Sequence, residues 1–239
     1  MRLKLPKRHR LAVLDDLAAR ITSLETARPF RIAIDGRTAA GKTTLANELA
    51  DLIESRGRQT IRTSIDGFHR PKAERYARGR LSAEGYYHDA RDLPAIMTFL
   101  LAPLGPGGNC LYRTASFDLD NDRPIEQQPK LAPANSILIV DGTFLQRPEL
   151  RDGWDLSVFV ETSEEVSGRR GVHRDAARLG GLEAAHQLYA QRYRPAFALY
   201  ERLCEPRPTA DVILTNDDFD YPDLRIRQDG RLAASGGQT

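Results

Sequence analysis

A parallel α/β architecture, with helices covering both faces of the sheet, is the fold class that this chain predicts. Three features point to it. Short apolar runs alternate with stretches of helical spacing along most of the sequence. Those runs are apolar at successive positions, as strands buried on both faces must be. The first of them leads directly into a glycine-rich loop and then into a helix. Composition allows such a fold: 239 residues, 41% hydrophobic and 28% charged, can build a core without disulfides or a structural metal.

Leu11, Leu14, Leu17, Ala18, Ile21 and Leu24 share one helical face, so residues 1–30 are expected to contribute an amphipathic helix packed on the core. Residues 32–34 form the apolar centre of a first strand ending at Asp35-Gly36. Residues 43–57 have helical spacing and close on Gly57, a helix stop. A second strand is expected over 60–66, followed by a polar, aromatic and turn-rich stretch to about residue 91. A helix over 93–101 and a loop over 103–108 come next. Residues 136–142, 156–162 and 211–216 read as three further strands, giving five in all. An Arg-rich helical stretch, 163–202, joins the last two. The main domain is therefore expected over 31–220, with 221–239 as a tail whose end, from 231, frays.

Several function classes are excluded or disfavoured. Thirty-five basic against 33 acidic residues leave a net charge of +2, which argues against a nucleic-acid binder. Two cysteines, Cys110 and Cys204, cannot build a disulfide framework or a four-cysteine metal site. The basic start has only a short apolar stretch, broken by Asp15 and Asp16, so it does not read as a signal peptide. No apolar run reaches the roughly 18 residues of a membrane span. A reducing cytoplasm is the expected compartment, and the sequence leaves a homo-oligomer open.

Gly36-Arg37-Thr38-Ala39-Ala40-Gly41-Lys42-Thr43 fits the pattern of a phosphate-binding loop between a strand and a helix. Gly36 and Gly41 let the backbone wrap a phosphate with its N–H groups inward, and the helix N-terminus adds positive potential. Only five of the 35 basic residues are lysines, so a lysine in this loop suggests a need for a compact ammonium. Lys42, expected on an exposed loop, would reach the β- and γ-phosphates of ATP. Thr43 would ligate Mg²⁺. Gly36, Ala39, Ala40, Gly41 and Thr44 complete the expected ATP contacts. No lysine is followed two positions later by Asp, so a guanine-reading N-K-x-D motif is absent. Ser235-Gly236-Gly237-Gln238 superficially matches a transporter-ATPase signature but has no helix after it.

Asp66 and Asp141 end the second and third strands, the ends that face the ligand crevice of a parallel sheet. Asp141 fits a Mg²⁺ ligand, and Asp66 a base for an attacking hydroxyl or a second metal ligand. The alternative for both is a turn or helix N-cap aspartate.

The ordered series of motifs resembles the phosphoribulokinase/uridine kinase family of P-loop small-molecule kinases, over about residues 31–216. It comprises the phosphate loop, Ile65-Asp66-Gly67-Phe68-His69, Gly85-Tyr86-Tyr87-His88-Asp89-Ala90-Arg91-Asp92, Ile139-Val140-Asp141-Gly142, Arg169-Arg170 with Arg174-Asp175, Tyr193-Arg194-Pro195-Ala196, and Glu205-Pro206 with Ala210-Asp211-Val212-Ile213. The resemblance implies a three-layer P-loop kinase fold, transfer from ATP to an alcohol, Asp66 as base, and Arg170 and Arg174 on a lid over about 163–195. Placed i,i+4 on a helix, the two arginines share a face, whether over the phosphates or toward solvent. Uridine kinases of this family tend to carry Phe-Asp-His-Pro-Asp-Ala, whose first Asp binds ribose; here Tyr87 takes that place and the proline is missing. His69, Tyr87, His88, Asp89, Tyr112 and Arg113 are the candidate acceptor contacts, with Asp92 a further candidate for ribose. The expected acceptor is a nucleoside such as uridine, with pantothenate, nicotinamide riboside or a sugar phosphate as alternatives. A nucleotide-binding ATPase or regulatory module is the alternative of another class.

Overall fold

The computed structural model describes residues 8–233. The end of the tail, with the Ser-Gly-Gly-Gln stretch, lies outside the described residues. Six strands form the central sheet: β1 (Phe30–Gly36), β2 (Thr60–Ser64), β3 (Ile137–Asp141), β4 (Leu156–Glu161), β5 (Val212–Thr215) and β6 (Asp223–Ile226). Their order is β6-β5-β4-β1-β3-β2. The first five are mutually parallel, and β6 pairs antiparallel with β5 on the edge. Five parallel strands were expected; the sixth falls in what reads as a tail. Its four residues, Asp-Leu-Arg-Ile, alternate exposed and half-buried positions and contain no apolar run.

β1 lies centrally and is buried along its whole length. Its alternate side chains supply two cores, as strand pleat requires. Ile32 and Ile34 join Ile139, Val158 and Val212 beneath two helices, α1 (Arg10–Thr22) and α2 (Lys42–Ser55). On the opposite face, Ala33 joins Leu138, Val140, Leu100 and Trp154. Helix α1 buries Leu14, Leu17, Ala18 and Ile21 as expected, but Leu11 is 62% exposed and Val13 packs inward instead. The buried stripe passes through Arg10 and Val13 at that end, leaving Leu11 on its flank.

Two short helices, α3 (Ala83–His88) and α4 (Leu93–Ile96), follow β2, and a π-helical turn over Met97–Leu101 continues α4. The Arg-rich stretch is not one helix. It divides into α5 (Glu164–Leu179), α6 (Leu182–Leu188), a π-helical turn (Tyr189–Tyr193) and α7 (Arg194–Cys204). Gly180 and Gly181, at φ 92° and 121°, make the break after α5, where other residues would be strained. The π turn swings Arg192 and Tyr193 toward the carboxyl ends of the strands, where the site lies.

Candidate active site

The loop between β1 and α2 is shaped by its glycines. Gly36 has φ 147°, and a Cβ there would stand 2.6 Å from the Val160 carbonyl oxygen. Gly41 has φ 95°, and its Cβ would stand 2.5 Å from Asn216 Nδ2. Ala39 also adopts a left-handed conformation, φ 61°. Asn216, absent from the sequence-based candidates, braces the loop. It is buried, donates from Nδ2 to the Ala40 carbonyl at 2.7 Å, and accepts at Oδ1 from Arg10 at 2.9 Å. Arg10 in turn forks onto Glu48 of α2.

Lys42 is buried at the start of α2, a correction to the expected exposed position, and its Nζ donates to the Arg37 carbonyl at 2.8 Å. Burial lowers its pKa to about 8, despite the opposing pull of Asp35, Asp141 and Asp66. The Thr43 hydroxyl donates to Asp141 Oδ2 at 2.6 Å. Arg62 approaches Asp141 Oδ1 to 2.6 Å, yet that buried oxygen receives no well-aligned hydrogen bond. A hydroxyl joined to a carboxylate with one oxygen unsatisfied, at the mouth of a phosphate loop, fits a Mg²⁺ that travels with a nucleotide. Among the described residues no group of three or more His, Cys, Asp or Glu side chains gathers to hold a metal by itself.

A cleft of about 410 Å³ opens beside this loop. Lys42, Thr43 and Asp141 line one end, and Asp66, His69, Tyr76, Tyr86, Arg91 and Arg192 line the other. Arg174 closes it from α5 and also borders a recess of about 150 Å³ with Gly41, Thr43, Thr44 and Arg170. Arg170 and Arg174 thus do share a face that turns to the phosphate loop. Arg170 donates to the carbonyls of Asn216 and Asp217, both at 2.9 Å, and Arg174 pairs with Asp175 at 3.0 Å.

Asp66 lies two residues beyond the end of β2, in a 3₁₀ turn, and its side chain is 60% open to the cleft. Arg91, in the connection between α3 and α4 and bridged there to His69, donates to its Oδ1 at 2.7 Å. The cleft walls desolvate this carboxyl, but the charges of Arg91 and Lys42 outweigh that and hold its pKa below the ordinary carboxylate value. His69 Nδ1 lies 2.9 Å from the Asp66 carbonyl and its Nε2 meets Arg91. Burial and the Arg91 charge lower the His69 pKa to about 3, so the ring is neutral, Nδ1 donates and Nε2 accepts. His69 is therefore a fixed wall of the cleft.

The other candidate acceptor contacts lie elsewhere. Tyr87 is 5% exposed and packs on Phe144 and Tyr200, with its hydroxyl 3.3 Å from Cys204 Sγ. The tyrosine that faces the cleft is its neighbour Tyr86, because one step along α3 turns a side chain by about a quarter circle. His88 is exposed with its ring edge on Tyr87. Asp89 accepts from Arg78 at 2.9 Å, and Asp92 caps α4 through the Ala95 amide at 3.0 Å. Tyr112 packs beside the second core cluster and opens onto a groove with Thr60 and Ile61, at the start of β2. The Arg113 guanidinium lies over Phe99, 4.9 Å from the ring centroid. Trp154 is core, as expected.

A phosphate loop at the head of a central parallel strand, a hydroxyl–carboxylate pair beside it, and arginines leaning over the cleft define a P-loop kinase fold. Residues 31–216 match the phosphoribulokinase/uridine kinase family, and the chain belongs to it. Uridine-cytidine kinase B of Dictyostelium discoideum is 28% identical over 187 residues, covering 78% of this chain and 74% of that protein. A uridine kinase of Lactobacillus johnsonii is 24% identical over 196 residues, covering 80% and 88%. Among solved structures, a possible uridine kinase from Bacillus stearothermophilus superposes with a TM-score of 0.66 at 24% identity, covering 84% of this chain and 96% of that one. No helix among the described residues is long and apolar enough to cross a membrane.

Proposed function

We propose that the protein is an ATP- and Mg²⁺-dependent kinase that phosphorylates a hydroxyl of a small metabolite. The observation that carries this reading is that Lys42, Thr43, Asp141 and Asp66 line one cleft, so a nucleotide phosphate and a proton acceptor meet in the same space. The amides of the phosphate loop and Lys42 hold the β- and γ-phosphates. Thr43 and Asp141 would hold Mg²⁺, which supplies charge neutralisation on those phosphates when bound. Asp66, ionised at neutral pH, orients the acceptor hydroxyl and takes its proton as the oxygen bonds to the γ-phosphorus and the bond to ADP breaks. Arg174, with Arg170 behind it, offsets charge on the transferring group and helps exclude water.

The two relatives compared by sequence are named uridine-cytidine kinase and uridine kinase, and a nucleoside such as uridine is one acceptor this reading covers. Pantothenate, nicotinamide riboside and sugar phosphates are others. The test is a panel of these compounds with Mg²⁺-ATP, following ADP and phosphorylated product together. A phosphorylated product from one of them is expected. Steady ATP hydrolysis that none of them accelerates would instead support the reading as an ATPase.

A further inference from the structure

The acceptor end of the cleft is more cationic than an uncharged acceptor requires. Arg192 is 5% exposed, donates to the Arg80 carbonyl at 2.6 Å, and has no carboxylate within ion-pair distance among the described residues. Its Nε is buried without a hydrogen-bond partner, and so is Nε of Arg91. Arg91 itself is nine-tenths buried, with a side-chain exposure of 10%. Burying a guanidinium without an anion is costly, so such an arrangement persists where a ligand completes it.

Shared rings hold these guanidiniums close together. Tyr86 lies beneath both Arg91 and Arg192, at 5.9 and 4.8 Å from its ring centroid. Tyr76 lies beneath both Arg192 and Arg75, at 4.9 and 5.3 Å. Guanidinium and phenol thus alternate from Arg91 to Arg75 along one wall. Of the three cations, Arg91 pairs with Asp66 and Arg75 with Asp122, while Arg192 is left over. The field is felt by neighbours: burial alone would raise the Tyr76 pKa, yet Arg192 and Arg75 bring it below its ordinary value.

Resting on the kinase reading above, we propose that the acceptor carries an anionic group, a carboxylate or a phosphate, which docks on Arg192 and Arg91 while its hydroxyl faces Asp66. Planar guanidiniums are suited to either anion, since both present paired oxygens to their N–H groups. Tyr86, which lines the same wall beneath both guanidiniums, adds no charge of its own to the subsite.

The test fills the nucleotide site with a non-hydrolysable ATP analogue and Mg²⁺, then titrates inorganic phosphate and, separately, malonate by calorimetry. At least one anion should bind the loaded protein, and which one binds distinguishes a phosphate from a carboxylate subsite. Arg192→Gln should weaken that binding about 10- to 100-fold, the loss expected for a charged hydrogen-bonding partner, with analogue affinity unchanged. Arg192→Lys should recover part of it. If Arg192→Gln does not fold, Arg91→Gln reads the same subsite. No anion binding to the loaded wild type, or equal binding in the folded variants, overturns the proposal while leaving the kinase reading intact. Failure of the analogue to bind removes both. In turnover, a kcat/KM for uridine equal to or above those for pantothenate and ribulose 5-phosphate would also overturn it.

Discussion

The two ends of the cleft are built on different plans. The phosphate end comes from one contiguous loop and the helix behind it, with Asp141 from the neighbouring strand. Most of its polar groups pair within the protein, Lys42 with the Arg37 carbonyl, Thr43 with Asp141, and Arg170 with the Asn216 and Asp217 carbonyls, while Asp141 Oδ1 has no hydrogen bond and faces the place a Mg²⁺ would take. The acceptor end is assembled from residues as far apart as Arg75 and Arg192, and buried guanidinium nitrogens remain without partners. A group that every substrate presents, a polyphosphate, can be held by a fixed local motif. On the kinase reading proposed above, the part that varies between acceptors would be held by side chains drawn from separate elements, where single replacements change its chemistry.

Substitutions at the phosphate end should cost rate most. Arg174→Ala removes the cation that borders both the cleft and the nucleotide recess, and kcat should fall by up to about 10³–10⁵ if it acts on the transferring phosphoryl group. Arg174 pairs with Asp175, so steady-state kinetics should be accompanied by a circular dichroism check that α5 is intact. Unchanged kcat in a folded variant would return Arg174 to a role in anchoring the helix.

At the junction of the two ends, Asp66→Asn keeps the size of the side chain and its contact with Arg91 but cannot take a proton. It should lower kcat by about 10²–10⁴ with little change in ATP affinity. Added Mg²⁺ should not restore the rate. Strong rescue by Mg²⁺ would make Asp66 a metal ligand.

The pH profile separates the ends without mutation. Lys42, with a pKa of about 8, loses its charge as pH rises through that value, so kcat/KM for ATP should decline above about pH 8. Asp66 lies below the ordinary carboxylate range and His69 is neutral with a pKa of about 3. Neither changes state between pH 7 and 5, so kcat/KM for the acceptor should show no acid limb there. An acid limb near pH 6 would contradict the neutral His69.

The smallest effect is expected one residue away from the largest contrast on α3. Tyr87→Phe deletes a buried hydroxyl contact to Cys204 and should cost about 1 kcal/mol in denaturant unfolding, leaving the acceptor KM as it is. Tyr86→Ala should raise the acceptor KM, because Tyr86 lines the cleft and supports Arg91 and Arg192, and should also lower stability through its lost ring contacts with Phe144 and Tyr193.

That pair also marks what the sequence made legible. Contiguous features could be read: the apolar strands, the glycine loop, and Asp66 and Asp141 just after or at strand ends, since spacing alone fixes their neighbours. Residues in contact across long separations could not. Arg192 reaches the cleft only through a π-helical turn that helical periodicity does not announce. Arg91 stands in a motif whose aspartates are its more conspicuous ligands by residue type, yet Asp89 binds Arg78 and Asp92 caps a helix. Asn216 follows the last residue of β5, and nothing local shows that it braces a loop more than a hundred residues earlier. The edge strand β6 leaves no signal in the sequence, because a short strand held only by β5 has no apolar run.

The central claim, that both ends serve one transfer, is tested most directly by measuring ADP and phosphorylated acceptor in the same reaction. With Mg²⁺-ATP and a productive acceptor, the account predicts equal amounts of the two, and little ADP when the acceptor is left out. ADP released at the same rate with and without acceptor, and unmatched by phosphorylated product, would contradict it.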